Sequence, residues 1–290
     1  MAPGSGCHRK DAVLSCVVNV SEGRDGDVIE AIACAGGRSV LDVHSDPDHH
    51  RTVFTMAGEG LEEDLRGVAR RTVELVDLRG HRGVHPRLGA LDVVPFSPLD
   101  ADGHPVGGGD LTGALEARRR FATWAARALA LPCFFYGPER GLPEVRKRAF
   151  AGLDPDAGPR TAHPSAGACA VGARFALVAY NVWLSTDDLD VAGSIASAVR
   201  GPVVRALGLR TAGETQVSCN LIDPWSVGPA QIYDAVDRLA RDAGCAVSRA
   251  ELVGLAPAGV VDAAPRARWP QLDLDPGRTL EAGLEKSRAR

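Results

Sequence analysis

The sequence predicts an α/β protein built as two subdomains, each a mixed sheet covered by helices. Three observations carry that prediction. Short apolar runs of strand-forming residues alternate with longer stretches of helical spacing, and the alternation occurs twice along the 290 residues. The strongest composition shift, at 154–167 (DPDAGPRTAHPSAG), separates the two series. The composition, 45% apolar and 24% charged, is that of a soluble globular chain with length for one large domain or two smaller ones. Some strands follow one another directly, so the sheets are expected to be mixed and not wholly parallel.

Residues 1–11 read as a disordered tail without the apolar core of a signal peptide. Val13 to Val20 is a near-continuous apolar run, expected as a buried strand, and it ends in the turn-rich Asn19-Val20-Ser21-Glu22-Gly23. Asp27 to Ala35 has helical spacing and stops at Gly36-Gly37. Strands are expected at Ser39–Val43 and Arg51–Ala57, joined by the polar loop His44-Ser45-Asp46-Pro47-Asp48-His49-His50. Leu61 to Val76 repeats Leu65, Val68, Val73 and Val76 at helical spacing. Leu111 to Leu131 is a long helix with Leu115, Phe121, Trp124 and Leu129 inward. Pro132–Gly137 is an apolar strand, and Leu142–Phe150 a short, strongly basic helix. The second series starts with Ala168 to Leu184, whose core FALVAYNVWL (175–184) reads as a long strand, and a helix from Thr186 ends near Val199. Val203–Leu209 and Gln216–Ile222 are strands, Ser226–Ala243 is an amphipathic helix, Ala246–Leu255 is a last strand, and Leu280–Ala289 is a closing helix.

The stretch from Asp77 to Phe96 (DLRGHRGVHPRLGALDVVPF) is where chemistry concentrates. Glycines and Pro86 make Gly80–Pro86 a loop, and Leu91, Val93, Val94 and Phe96 mark a strand directly after it. A histidine on such a loop, His81 or His85, can meet a substrate, and its unperturbed pKa near 6.5 suits proton transfer. Two other readings stand beside that one: a loop-shaping role, and half of a metal site, which would need a helix that Gly83 and Pro86 oppose. His44, His49 and His50 open the same metal question in the 44–50 loop. The 154–167 segment is either a linker or a ligand-lining loop.

Net charge of −4 does not suggest a nucleic-acid surface. The seven cysteines form no CxxC pair and lie mostly in apolar runs, as small buried hydrophobes of a reducing compartment do. No apolar run approaches the roughly 18 residues of a membrane span. The chain is expected in the cytoplasm, with no membrane or nucleic-acid partner. No GxGxxG, P-loop or GxSxG occurs.

Seven segments together resemble the formiminotransferase family, the tetrahydrofolate-using glutamate formimidoyltransferases. They are CVVNVSEGRD (16–25), LDVHSDPDHHRTVFTMAG (41–58), HRGVHPRLGALDVVPFSPL (81–99), GPRTAHPSAG (158–167), GARFALVAYNVWLST (172–186), QVSCNLID (216–223) and ELVGLAP (251–257). They stand in family order at about family spacing, and HPRLGALDVVPF is the most specific. The resemblance implies an N-terminal subdomain over 12–165, a C-terminal subdomain over 166–290, a ligand cleft between them, and a homodimer. It implies that the catalytic residue is His85, acting as general base and acid. It implies a folate-binding loop of Gly158, Pro159, Arg160, Thr161, Ala162, His163, Pro164, Ser165, Ala166 and Gly167, which turns the linker reading there into a loop that joins the halves and lines the cleft. The implied substrates are N-formimidoyl-L-glutamate and tetrahydrofolate, the latter a co-substrate, with no metal, in histidine breakdown. Arg51 and Arg87 are the candidates for the glutamate carboxylates, since a planar guanidinium fits a carboxylate bidentately. His81 is a weaker catalytic candidate than His85 and is expected to shape the loop or support its neighbours.

Several positions depart from the family pattern. His44 stands where animal members carry an acid, His50 where asparagine is usual, and Ala166 where some members have tryptophan. The 209–216 connection is short, and no cyclodeaminase domain is expected. The changes at His44 and His50 and the short connection keep open the transfer of a formimidoyl or formyl group to or from a different amine; two further readings stand beside it, a folate-binding protein without turnover and a metal-dependent hydrolase using His44, His49, His50, His81 and His85.

Overall fold

The computed structural model describes residues 13–211 and 213–289; the tail expected at 1–11 lies outside them. The first unit is a six-stranded mixed sheet in the order β2-β3-β1-β4-β6-β5. Its strands are β1 (Leu14–Val20), β2 (Val40–Asp46), β3 (Arg51–Ala57), β4 (Leu91–Pro98), β5 (Cys133–Tyr136) and β6 (Cys169–Ala173). Helices α1 (Gly26–Ala35), α2 (Leu61–Leu75), α3 (Thr112–Ala128) and α4 (Leu142–Arg148) belong with it. The second unit is a four-stranded sheet in the order β10-β7-β9-β8. It comprises β7 (Val178–Leu184), β8 (Val204–Arg210), β9 (Thr215–Leu221) and β10 (Val247–Val253). Helices α5 (Leu189–Val199), α6 (Pro229–Asp242), α7 (Ala258–Asp262) and α8 (Leu280–Arg288) lie in the second half of the chain.

The alternation of side chains along the strands decides where the site lies. In β1, Cys16, Val18 and Val20 enter the core with α1–α3, while Val17 and Asn19 face the other way, into a cavity. In β9, Val217, Cys219 and Leu221 pack in the core with α5 and α6, while Ser218 and Asn220 line that same cavity. A strand exposes alternate residues on opposite faces, so the first sheet keeps one apolar face for α1–α3 and turns the other toward the cleft, where α4 packs against Val93, Phe134 and Ala170. Helix starts are fixed by local chemistry. Asp25 caps α1 by accepting from the N–H groups of Asp27 and Val28, and Asp188 caps α5 from Asp190 and Val191. The inward residues expected of α3 and α6 pack as expected: Phe121 is buried, with Leu115, Trp124 and Leu129 against the core, and Ile232 and Val236 are buried with Leu239 partly so.

Two features differ from the sequence reading. The stretch Ala168–Leu184, expected to carry one long strand at its core (175–184), holds two strands in different sheets, β6 and β7. β6 runs parallel between β4 and β5, and β7 runs antiparallel to β9 and β10. The break at 174–177 is fastened by a bond from the Arg174 N–H to the Phe96 carbonyl. Because GARFALV contains no turn dipeptide, periodicity alone could not expose it. The crossing between sheets therefore lies at 174–177. The second sheet is antiparallel throughout, because β8 and β9 form a hairpin and β7 lies beside β9.

The described cysteines form no disulfide; Cys16, Cys133, Cys169 and Cys219 are buried. Among the described residues, no helix is long and apolar enough to cross a membrane.

Candidate functional site

A cavity of about 660 Å³ opens between the two sheets, within the range of small-molecule sites. Its walls combine apolar side chains, among them Val17, Val53, Val93, Pro95, Leu111 and Leu255, with Asn19, Arg51, His85, Arg146 and Arg205.

His85 sits in the glycine-rich loop that precedes β4, as the sequence indicates, and lines this cavity. Its Nδ1 lies 2.7 Å from the Pro86 carbonyl oxygen. A carbonyl can only accept, so Nδ1 carries the hydrogen and Nε2 keeps its lone pair. The Arg51 Nη1 that approaches Nδ1 at 3.3 Å is then a second donor beside a donor, not a bond. Burial is the main cause that pushes the His85 pKa well below its ordinary value; the charges of Arg51 and Arg146 push the same way, and Asp92 opposes them. At neutral pH the ring is an unprotonated base.

Asp92 is the hub of this corner. It is fully buried in β4, and its Oδ2 accepts from Arg51 Nη1 and from Arg146 Nη2, each at 2.7 Å. Its Oδ1 accepts from the Leu88 N–H at 2.5 Å, which ties down the segment carrying His85. Burial opposes its charge, but the two guanidiniums and the Leu88 N–H hold the carboxyl below the usual range. Arg51 also donates from Nε to Asn19 Oδ1 at 3.0 Å.

Two contacts cross from one sheet to the other. His49 Nε2 meets Gln216 Nε2 at 2.5 Å, while His49 Nδ1 lies 3.2 Å from Asp46 Oδ2. His44 Nε2 pairs with Glu251 Oε1 at 3.2 Å, and Glu251 Oε2 accepts from Asn181 Nδ2 and Trp183 Nε1. Burial tends to raise the Glu251 pKa, but those three donors outweigh it and bring it down to about 2. The His49 and His85 ring centroids are 5.9 Å apart.

The remaining candidates are placed differently. His81 and Arg87 do not line the cavity: Arg87 contacts the His81 ring and donates to the His85 carbonyl at 2.8 Å. Burial, then the Arg87 charge, lowers the His81 pKa to about 4. His50 pairs with Glu22 at 3.1 Å and packs against His81, ring centroids 3.9 Å apart. Among the described residues, no group of His, Cys, Asp or Glu is arranged to hold a metal ion.

None of Gly158, Pro159, Arg160, Thr161, Ala162, His163, Pro164, Ser165, Ala166 and Gly167 lines the cavity wall. The end of that loop braces the His85 segment instead. His163 and Gly167 exchange backbone bonds, His163 Nδ1 accepts from the Ala166 N–H, and the carbonyls of Ser165 and Ala166 accept from Leu78 and Ala90. Gly89 has to be glycine here: a Cβ would stand 1.9 Å from the Ala168 carbonyl oxygen.

The reading from sequence missed Asp92, Arg146 and Glu251. Asp92 did carry a signal, being an acid inside an apolar strand, where a charge persists only if paired; Glu251 stands in a strand with Ser248 and Arg249, where an acid is unremarked. Arg146 stands in a strongly basic helix, with nothing in the sequence to tell it from Lys147 or Arg148.

A family model described as formiminotransferase domain, N-terminal subdomain, matches residues 13–174. The chain belongs to the formiminotransferase family. With it comes membership of the one-carbon group transferases, which are enzymes. A glutamate formimidoyltransferase of Streptococcus pyogenes serotype M1 is 34% identical over 276 residues, covering 85% of this chain and 89% of the relative. One of Thermoplasma acidophilum is 31% identical over 309 residues, covering 95% and 98%. The formimidoyltransferase-cyclodeaminase of Rattus norvegicus is 34% identical over 278 residues, covering 84% of this chain and 50% of the relative.

Proposed function

We propose that this chain is a glutamate formimidoyltransferase that moves the formimidoyl group of N-formimidoyl-L-glutamate to N5 of tetrahydrofolate, in histidine breakdown. The observation that carries the reading is the His85 ring: neutral, fixed by Pro86 in the tautomer with a free Nε2, and set on the wall of a cavity that also bears an excess of arginine. The cavity is large enough for a small-molecule complex, its apolar walls suit a pterin ring, and its guanidiniums suit carboxylates.

The movement of protons needs one such base. The N5 lone pair attacks the carbon of the protonated formimidoyl group, and the electrons of its C=N bond pass to nitrogen. N5, now positively charged, gives its proton to His85 Nε2. The imidazolium returns that proton to the glutamate nitrogen, and the bond from carbon to that nitrogen breaks with its electron pair. The lone pair of the remaining amino group restores C=N. Glutamate and 5-formimidoyltetrahydrofolate leave, and His85 is neutral again. Holding both substrates in one cavity supplies the larger part of the acceleration.

The folate contact expected of the 158–167 loop rests on the resemblance; its bracing of the His85 segment is the contribution we assign it. The cytoplasmic location and the homodimer rest on the same resemblance.

Tetrahydrofolate offered with N-formimidoyl-L-glutamate, N-formimidoylglycine and N-formyl-L-glutamate tests the reading. Formation of the 5-formimidoyl or 5,10-methenyl chromophore is expected with formimidoylglutamate first, by at least about tenfold in kcat/KM, the value of one charge-assisted contact. Preference for either other donor would move the assignment to a different amine or to formyl transfer, the reading that His44 in the cavity wall keeps in view.

A further inference from the structure

The corner around His85 holds more positive charge than it needs. Two guanidiniums, Arg51 and Arg146, share one carboxylate, Asp92. Arg51 is committed to Asn19 and Asp92, and its side chain is only 11% exposed. Arg146 makes a single bond, from Nη2 to Asp92, and its side chain is 21% exposed in the cavity wall. Its Nη1 has no partner among the described residues. Arg87 lies outside the cavity and is engaged with His81 and His85; of the other arginines in the wall, Arg140 pairs with Asp156, and neither Arg174 nor Arg205 bonds Asp92 among the described residues. The Asp92 corner is therefore left with one unit of uncompensated positive charge, which Arg146 presents to the cavity.

We infer that Arg146 is the donor-specificity residue, its free guanidinium edge binding the α-carboxylate of the molecule that carries the group to be transferred. The inference rests on the transferase reading above and adds the part of the substrate that is recognised. Position selects the donor over the folate. Asp92 holds Arg146 through Oδ2 and the His85 segment through the Leu88 N–H, so an anion on Arg146 sits beside the base. In the donor, the α-carboxylate is a few bonds from the reacting carbon. In a folate, the glutamate carboxylates are separated from N5 by the whole aminobenzoyl bridge. A carboxylate bound next to His85 with the reacting carbon also at His85 is the donor's.

The placement has an electrostatic consequence. The groups that face His85 are Arg51 of β3, Arg146 of α4, Asp92 of β4, His49 of the loop after β2 and the Pro86 carbonyl. A carboxylate on Arg146 offsets the excess positive charge, so donor binding makes the imidazole a stronger base when it is needed.

Arg146→Gln and Arg146→Lys test the inference, since Asp92 keeps Arg51 and the Leu88 N–H in both. In Arg146→Gln, the KM for N-formimidoyl-L-glutamate is expected to rise about 10- to 100-fold, the loss of one charge-assisted contact. The KM for tetrahydrofolate should hold, and Arg146→Lys should recover part of the loss. The wild type should discriminate against a donor whose α-carboxylate is an amide, and Arg146→Gln should not. Calorimetric titration of the donor alone should show the same weakening without any turnover. Equal donor binding in wild type and Arg146→Gln, or a shift confined to the tetrahydrofolate KM, overturns the inference. Absence of transfer by the wild type strikes the proposed function, while the titration still decides Arg146.

Discussion

Replacing His85 with alanine is expected to lower kcat by about 10²- to 10⁴-fold, the contribution of one positioned acid–base group. The fall should appear in kcat and kcat/KM alike, because the proton moves only as the carbon–nitrogen bonds change. Donor and folate affinity should change little, since the ring makes no charged contact with either. The fold should also survive: the side chain is only half-buried and its single bond is to a neighbouring carbonyl. His85→Gln is the stricter control. It preserves a hydrogen-bonding group at the site and should be as slow as His85→Ala. Recovery of activity by His85→Gln would show that the ring positions a substrate and moves no proton.

Asp92→Asn should cost about 3–5 kcal/mol of unfolding free energy, the range for removing one partner of a buried ion pair. The substitution keeps an acceptor for the Leu88 N–H but leaves Arg51 and Arg146 facing each other without a counter-charge in a buried corner. Urea unfolding of the two proteins gives the difference directly. The sign with pH comes from the lowered carboxyl pKa in the fold. The stabilisation is complete above the ordinary carboxylate value and is lost only as pH falls through the depressed one, so the gap between wild type and variant should close in acid alone. A difference below about 1 kcal/mol at neutral pH would show that the cluster behaves as a solvated surface pair.

Much of this was legible in the sequence, and the limits have physical causes. Strand and helix order came from periodicity, because nearly every element is long enough to show it. The His85 loop was marked by Gly83, Pro86 and Gly89 around a titratable ring. What periodicity could not show was which sheet a strand joins: Cys169–Ala173 and Val178–Leu184 form one apolar run but pair in different sheets. Nor could it show how charges are shared out. Arg51 and Arg87 were the natural carboxylate partners by position, yet Arg51 is committed to Asp92 and Asn19, and Arg87 lies outside the cavity. Arg146 reaches the same corner from a helix 54 residues away from Asp92 along the chain. The 158–167 loop matched as a segment, but only its folding against Leu78 and Ala90 reveals that its end supports the His85 loop.

The base proposed for this transfer is a neutral His85. Its most direct test is the pH dependence of kcat/KM, which reports ionisations of the free enzyme once those of the free substrates are allowed for. Burial and the charges of Arg51 and Arg146 hold the His85 pKa well below 6.5, so kcat/KM should stay level as pH is lowered through 6.5 and fall only well beneath it. The acid limb should vanish in the residual activity of His85→Ala. An acid limb at or above 6.5, or one that persists unchanged in His85→Ala, would contradict that role for His85.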